Sequence, residues 1–362
     1  MQASFFEPIR YVTSQKLPAQ WPLAPGLYDP EVGGQLFQSI IERLALVEEL
    51  GFDWVSFSEH HYGGRILTPS PIVMASHMAA HLRKVKIAVL GPIMALNNPV
   101  RVAEEFAMLD NLTQGRLVVG MLRGTTNEYL VYDVQPEEAR EITTEGMELV
   151  LKAWTEPQPF GWQGRHFQFR SVSVWPRPWQ QPFPPTFALG TSRESCDFAA
   201  RHHLGLGMSF GPVDAMSRVT HYYREQCALY DWQPTSDQII YRGHILLAET
   251  DAEAQEALQR RQELGEVTFP MRAGVRDALG QLDARNIAGV TRPVFRDGPL
   301  PTTFIGSPET VVKQLQQFHD EAGVGVVDLS FQGTSADTPQ EVLRAIKLFG
   351  KEVLPRLHEI DG

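Results

Sequence analysis

Cysteine is scarce in this chain. There are two among 362 residues, Cys196 and Cys227, and no C-x-x-C spacing. That scarcity excludes a disulfide framework and a thiolate metal centre, and it fits a reducing cytoplasm. Long apolar runs are missing too: none approaches the ~20 residues of a membrane span. The amino-terminal M-Q-A-S-F-F-E-P-I-R has neither the basic head nor the apolar stretch of a signal peptide, and reads as a first strand. Positive charge is in deficit, with 32 Lys and Arg against 43 Asp and Glu and a net charge of −11. This argues against nucleic acid or an anionic membrane as the main partner. No G-x-G-x-x-G follows the first strand, where Phe5-Phe6-Glu7-Pro8 stands, and there is no Walker loop, G-x-S-x-G elbow or H-E-x-x-H pattern. Adjacent side chains diverge, so His60 and His61 make a poor metal pair.

What is present is alternation. Hydrophobic residues make up 43% of the chain, enough for a large core. Strand-like runs at 1–6, 55–58, 85–90, 117–122, 186–189, 205–208, 239–248 and 326–331 alternate with helical patterns. The helices are expected at 36–50, 71–81, 99–112, 137–154, 195–203, 213–230, 251–263 and 339–353. About eight strand–helix repeats in a chain of this length predict a (β/α)₈ TIM barrel. No Gly/Ser-rich or Pro-rich linker divides the chain, so one domain over 1–362 is expected. Two stretches break the rhythm: 157–185, rich in proline and tryptophan, and 264–304, whose spaced glycines make it a candidate lid.

In parallel α/β folds the reacting groups gather at the carboxyl ends of strands. Four segments would meet there. Glu59-His60-His61 follows the strand W-V-S-F; a neutral imidazole in that place can exchange a proton or hold a polar ring atom, or be structural. Leu90-Gly91-Pro92 ends the next strand, as a plain turn or as strained backbone re-aimed into the site. Arg123, between Gly120-Met121-Leu122 and Gly124, suits bidentate capture of an anion, with a structural salt bridge as the alternative. Gly190-Thr191-Ser192-Arg193-Glu194-Ser195 joins a strand to a helix, so its amides and hydroxyls form an anion site. N-capping by Ser192 explains the hydroxyls equally well. Together with Arg123, this segment points to a phosphorylated organic cofactor.

The segments S-E-H-H-Y, N-N-P-V-R-V-A-E-E-F-A-M-L-D-N-L-T-Q-G-R, G-M-L-R-G and I-K-L-F-G-K-E-V-L-P-R-L resemble the bacterial luciferase-like flavin monooxygenases. The resemblance runs in one order over nearly the whole chain. It implies a TIM-like barrel that binds reduced FMN from a separate NAD(P)H:flavin reductase. Molecular oxygen would add to the flavin as a C4a-peroxide and oxidise a small, largely apolar organic substrate. His60 falls on the family's catalytic histidine. Arg123 falls on a phosphate-binding arginine, and Arg140 on a second one, although the loop before it is one residue shorter here. Thr191, Ser192 and Ser195 fall on the phosphate loop beside Arg193, and Leu90–Gly91 on a non-prolyl cis peptide next to the flavin ring. Family members commonly form dimers through helices of the amino-terminal half, so a homodimer is expected.

Two departures bear on substrate. Leu122, counted with the cofactor-binding set, replaces the reactive cysteine that light-emitting luciferase carries before this arginine. The loop 13–34, with Trp21 and Tyr28, is longer and richer in proline. Both speak against luminescence and an alkanal substrate. Two rivals use the same barrel: an F420-dependent hydride-transfer oxidoreductase, and a non-catalytic flavin-binding protein.

Overall fold

A polar residue followed by proline opens five helices of the computed structural model, which describes residues 1–12, 17, 22–64, 66–263, 303–331 and 338–360. In four of the five the polar side chain takes an otherwise orphaned amide of the first turn, and in all five proline stands where no amide is needed. Asp29 Oδ1 accepts from the Glu31 amide at 2.8 Å ahead of α1 (Pro30–Glu49). Ser70 caps α2 (Pro71–Ala79), and Asn98 Oδ1 accepts from Val100 at 3.0 Å ahead of α3 (Pro99–Thr113). The remaining helices are α4 (Thr126–Val131), α5 (Ala139–Thr155), α6 (Arg193–Arg201), α7 (Val213–Ala228), α8 (Asp251–Glu263), α9 (Pro308–Ala322), α10 (Pro339–Leu348) and α11 (Leu354–His358).

The strands are β1 (Gln2–Phe6), β2 (Trp54–Phe57), β3 (Lys86–Ile93), β4 (Leu117–Leu122), β5 (Phe160–Gln163), β6 (Gln168–Val172), β7 (Thr186–Leu189), β8 (Gly205–Ser209), β9 (Ile239–Leu247), β10 (Thr303–Gly306) and β11 (Val326–Ser330). Among the described residues, β1, β2, β3, β4, β7, β8, β9 and β11 are parallel neighbours in that order. Pairing of Ser4 with Asp328 and of Ser209 with Arg242 closes the ring. The result is the expected (β/α)₈ barrel, with the short β10 added to the upper half of β9. Trp54, Ala88, Leu90, Val118, Phe187, Ile240 and Val326 meet in the lumen, a contact possible only inside a closed ring. The larger core lies between ring and helices, around Leu44, Phe57, Phe106, Trp154 and Tyr223.

Several elements go beyond the sequence expectation. Helix α1 begins at Pro30 rather than at residue 36, and α4, β10 and α9 were not anticipated. The helix expected over 339–353 is α10 followed by a π-turn at 349–353 and then α11. Pro355, which has no amide to give, sits at that junction. Residues 264–302 of the candidate lid lie outside the described residues, as does Trp21; Thr303 and Phe304 belong to β10. The 157–185 stretch forms the antiparallel pair β5–β6 and then runs beneath the barrel. There Gln180 Nε2 donates to Asp110 Oδ1 at 2.8 Å and to the carbonyl of Leu117, the first residue of β4, at 2.9 Å. Phe160, Trp162, Phe167 and Phe169 pack on the outer core, while Trp175 and Trp179 stay exposed. A cavity of about 200 Å³ between Ala153, Phe160, Val174, Trp175 and Arg177 borders that stretch.

Candidate active site

Beyond β2 three consecutive side chains take separate paths. Glu59 is buried; its Oε2 accepts the Ile93 amide at 2.9 Å and Oε1 lies 3.0 Å from His61 Nε2. Asn97 Nδ2 adds a longer contact of 3.3 Å to Oε2. His61 is thus fixed with its ring edge-on to Tyr132, centroids 5.7 Å apart. His60 turns elsewhere. Its Nδ1 lies 3.0 Å from Oε1 of Glu128 in α4, and the side chains are 33% and 2% exposed respectively. A carboxylate can only accept, so in the neutral ring it holds the proton on Nδ1 and leaves the Nε2 lone pair outward.

Glu59 also fixes the end of β3. A Cβ on Gly91 would stand 3.0 Å from the Glu59 amide nitrogen, so a side chain there would push on that backbone. The cis peptide that the resemblance implies at Leu90–Gly91 is absent: among the described residues the cis bonds are Trp175–Pro176 and Gln181–Pro182. A register shift against β4 between Leu90 and Ile93 redirects the strand with trans peptides instead.

Opposite, Arg123 past the end of β4 and Arg140 in the first turn of α5 come together beside the loop that follows β7. Arg123 donates to the Tyr129 hydroxyl, whose proton is held by burial, with the charges of Arg123 and Arg140 working against that rise. Arg140 Nη1 lies 3.2 Å from Glu194 Oε2. The Glu194 carboxyl is pulled down first by its own amide at the start of α6, then by the Ser192 hydroxyl and Arg140, with a smaller pull from Arg123. Ser192 Oγ caps α6 by accepting from the Ser195 amide at 3.3 Å, and the two hydroxyls are 3.1 Å apart. Arg123, Arg140, Ser192 and Ser195 therefore surround one spot at a helix amino terminus, with Thr191 exposed at its rim and Glu194 as the present anion. Leu122 packs beneath, with Ile93, Tyr129 and Ala139. Arg193, expected in this cradle, is turned away: its guanidinium lies 5.1 Å above the Tyr222 ring of α7, where charge and aromatic face attract.

The sequence reading missed the third wall. Fully buried Asp328 accepts from Ser4 Oγ at 2.7 Å, from Ser56 Oγ at 2.6 Å and from Arg242 Nε at 2.6 Å. The guanidinium reaches up to Phe6, the last residue of β1, at 3.9 Å. Next along that face His244 stacks on Phe210, centroids 4.9 Å apart. Buried Arg242 Nη2 and Ser58 Oγ have no hydrogen-bond partner among the described residues. Arg242 and His244, two half-buried polar residues alternating with buried ones in an apolar strand, were the available signal. Glu128 gave none, since a glutamate in G-T-T-N-E-Y reads as solvated loop.

These groups fit a phosphorylated flavin. Two guanidinium groups and a capped helix start match the phosphate. The orphaned Ser58 and Arg242 donors lack acceptors of the kind that ring carbonyls provide. Among the described residues no group of three or more His, Cys, Asp or Glu could hold a metal, and no helix is long and apolar enough to cross a membrane.

A parallel barrel with an anion cradle and a carboxylate-held histidine at one mouth defines an enzyme of the cofactor-dependent barrel class. The chain belongs to the luciferase-like monooxygenase family, whose sequence model matches residues 19–324, and whose members are flavin-dependent oxidoreductases. An uncharacterized protein of Sinorhizobium fredii, y4wF, is 30% identical over 210 residues, covering 56% of this chain and 61% of that one. The chain thus spans about three fifths of that relative's length. The monooxygenase RslO1 from Streptomyces bottropensis shares the fold at a TM-score of 0.75 and 26% identity, over 98% of this chain and 99% of that one. The FMN complex of the oxygenating constituent of 3,6-diketocamphane monooxygenase from Pseudomonas putida, a type II Baeyer–Villiger enzyme, aligns at 0.71 and 18%, over 98% of both chains. F420-dependent dehydrogenase folds are similar as well.

Proposed function

We propose that this chain is the oxygenase component of a two-component monooxygenase. It would take reduced FMN from a separate NAD(P)H:flavin reductase and use O₂ to oxidise a small, largely apolar organic substrate in the cytoplasm. The observation that carries the reading is the shared mouth: α4 joins the arginine of the anion cradle to the carboxylate that holds His60. Reduced FMN, when bound, supplies the electrons that activate oxygen. Arg123, Arg140, Ser192 and Ser195 hold its phosphate, and Glu194, whose side chain is 60% exposed, gives way to it. Arg242 Nη2 and Ser58 Oγ orient ring or substrate oxygens, and His60 Nε2 exchanges a proton at the mouth. The apolar lumen floor of Trp54, Leu90 and Phe187 keeps water out from below.

Removing one charged anchor by Arg123→Ala should cost roughly 1.5–3 kcal/mol of FMN binding. Fluorescence titration checks this, with riboflavin, which lacks the phosphate, as control. An equal loss for both flavins would overturn the phosphate assignment. The mixed protein, reduced FMN and air should give a long-lived absorbance distinct from free FMN. Substrate turnover under strict anaerobiosis would instead establish the rival, F420-type hydride transfer, which the fold also accommodates. Tight FMN binding without substrate-dependent oxidation would leave a flavin-binding protein.

A further inference from the structure

We propose that Glu128 is the positioning residue for His60 and that occupation of the phosphate cradle sets it. The proposal rests on the flavin reading above and adds a link between its two halves. Arg123 and Glu128 lie on one short segment, folded back on itself. Gly124 bends it at φ +98°, a conformation that strains residues with a side chain. The Tyr129 hydroxyl donates to the Gly124 carbonyl at 3.3 Å and receives from Arg123. The Glu128 amide donates to the Thr125 carbonyl at 3.0 Å, starting the helix turn. The arginine that faces the phosphate and the carboxylate that faces His60 are thereby clasped together through Tyr129.

Burial gives the clasp its direction. Glu128 is 1% exposed, and a buried carboxylate is costly unless its hydrogen bonds are held in good geometry. It therefore constrains the group it faces, the Nδ1 edge of His60, more strongly than a solvated glutamate would. Arg123, in contrast, is exposed, so an arriving anion can reach it while it holds the Tyr129 hydroxyl. A phosphate that draws Arg123 in fixes Tyr129 and, one residue away, Glu128. His60 is then locked as the Nδ1–H tautomer with Nε2 facing the mouth. Phosphorylated flavin would be recognised twice, once as charge in the cradle and once as order at the histidine.

The test is nitrogen-15 NMR of the histidine side chains in the full chain, with His60 assigned from His60→Gln. The wild type should show the Nδ1–H tautomer, and inorganic phosphate, whose binding is followed by calorimetry, should shift the His60 signals. In Glu128→Gln the tautomers should mix and the shift should vanish, while FMN affinity stays within about twofold and kcat falls roughly 10- to 100-fold. Glu128→Asp should restore part of both. If Glu128→Gln does not fold, Tyr129→Phe opens the clasp at its other end: the tautomer should persist and the phosphate response be lost. Bound phosphate that leaves the His60 signals unmoved in the wild type overturns the proposal. So does a Glu128→Gln protein with an unchanged tautomer. The phosphate arm needs no flavin, so a failure of FMN to bind would count against the functional reading alone.

Discussion

At the scale of single residues the site depends on what has no side chain. Gly124 holds φ +98°, and a Cβ there would stand 2.6 Å from Ile93 Cγ2. Gly91 and Gly190 are pressed in the same way, the first by the Glu59 amide and the second by Ser195 Oγ, 2.7 Å from a hypothetical Cβ. Each glycine lets backbone close up beside a polar group that the chemistry needs. Gly124→Ala should strain the Arg123 loop by about 1–3 kcal/mol. The clash is with buried Ile93 beside the Arg123 loop, so the strain should appear as a roughly 10- to 100-fold loss of FMN affinity together with a lower thermal midpoint. Titration and a melting curve on the same sample decide it, and a large drop in midpoint with intact affinity would place the strain in the core. The sequence offered His60 and Arg123 just past strand ends and the Ser192–Ser195 pair at a helix start, and the fold brings them to one mouth. Arg193 faces Tyr222 instead, because sequence order does not say which face of a helix start a side chain takes.

Among elements, the helix starts carried more information than the apolar periodicity. Asp29-Pro30 and Ser307-Pro308 mark the true beginnings of α1 and α9. A reading by hydrophobic spacing entered α1 late, since its first turn is largely solvent-facing, and it passed over α9. Helix α6 shows the opposite end of the same logic. Its carboxyl-terminal neighbour His202 packs on Phe198, ring centroids 4.4 Å apart, and Arg201 Nε points at its Nε2 at 3.3 Å. Burial, then the charges of Arg201 and His203, lower its pKa from 6.5 to about 4, although Glu148 stands 3.7 Å away. A folded-state value below the unfolded one means that the unfolded chain takes up the proton first. Stability from this group is complete above pH 6.5 and drains away as pH falls toward 4. The side chain is 26% exposed, so the loss is discounted to on the order of 2 kcal/mol. Urea unfolding at pH 7 and pH 4.5 should show His202→Gln losing less stability than the wild type over that interval. Equal losses would mean that His202 is charged in the folded state.

At the scale of the whole molecule the barrel was legible and its lumen was not. Alternating strand and helix patterns fix a closed parallel ring almost alone, because right-handed crossovers leave few other ways to cover both faces of the sheet. The Ser4–Asp328 contact joins residues 324 positions apart, and no local pattern announces it. What remains exposed points to assembly. On α3 Met108 and Leu112 are 56% and 54% exposed, on the same helical stripe as the Arg101–Glu105 ion pair. On the adjacent α2, Val73 is 68% exposed. Apolar side chains left open on two neighbouring helices suit a second copy of the same face, since a twofold contact sets like against like. The expected homodimer would therefore form through α2 and α3. Sedimentation at micromolar concentration should give twice the chain mass of 40.7 kDa. The double substitution Met108→Glu and Leu112→Glu places four like charges across that contact and should yield monomers. None of the three residues reaches the mouth of the barrel, so the monomer should keep its FMN affinity. A wild type that sediments as a monomer, or a double variant that stays dimeric, would move the interface elsewhere.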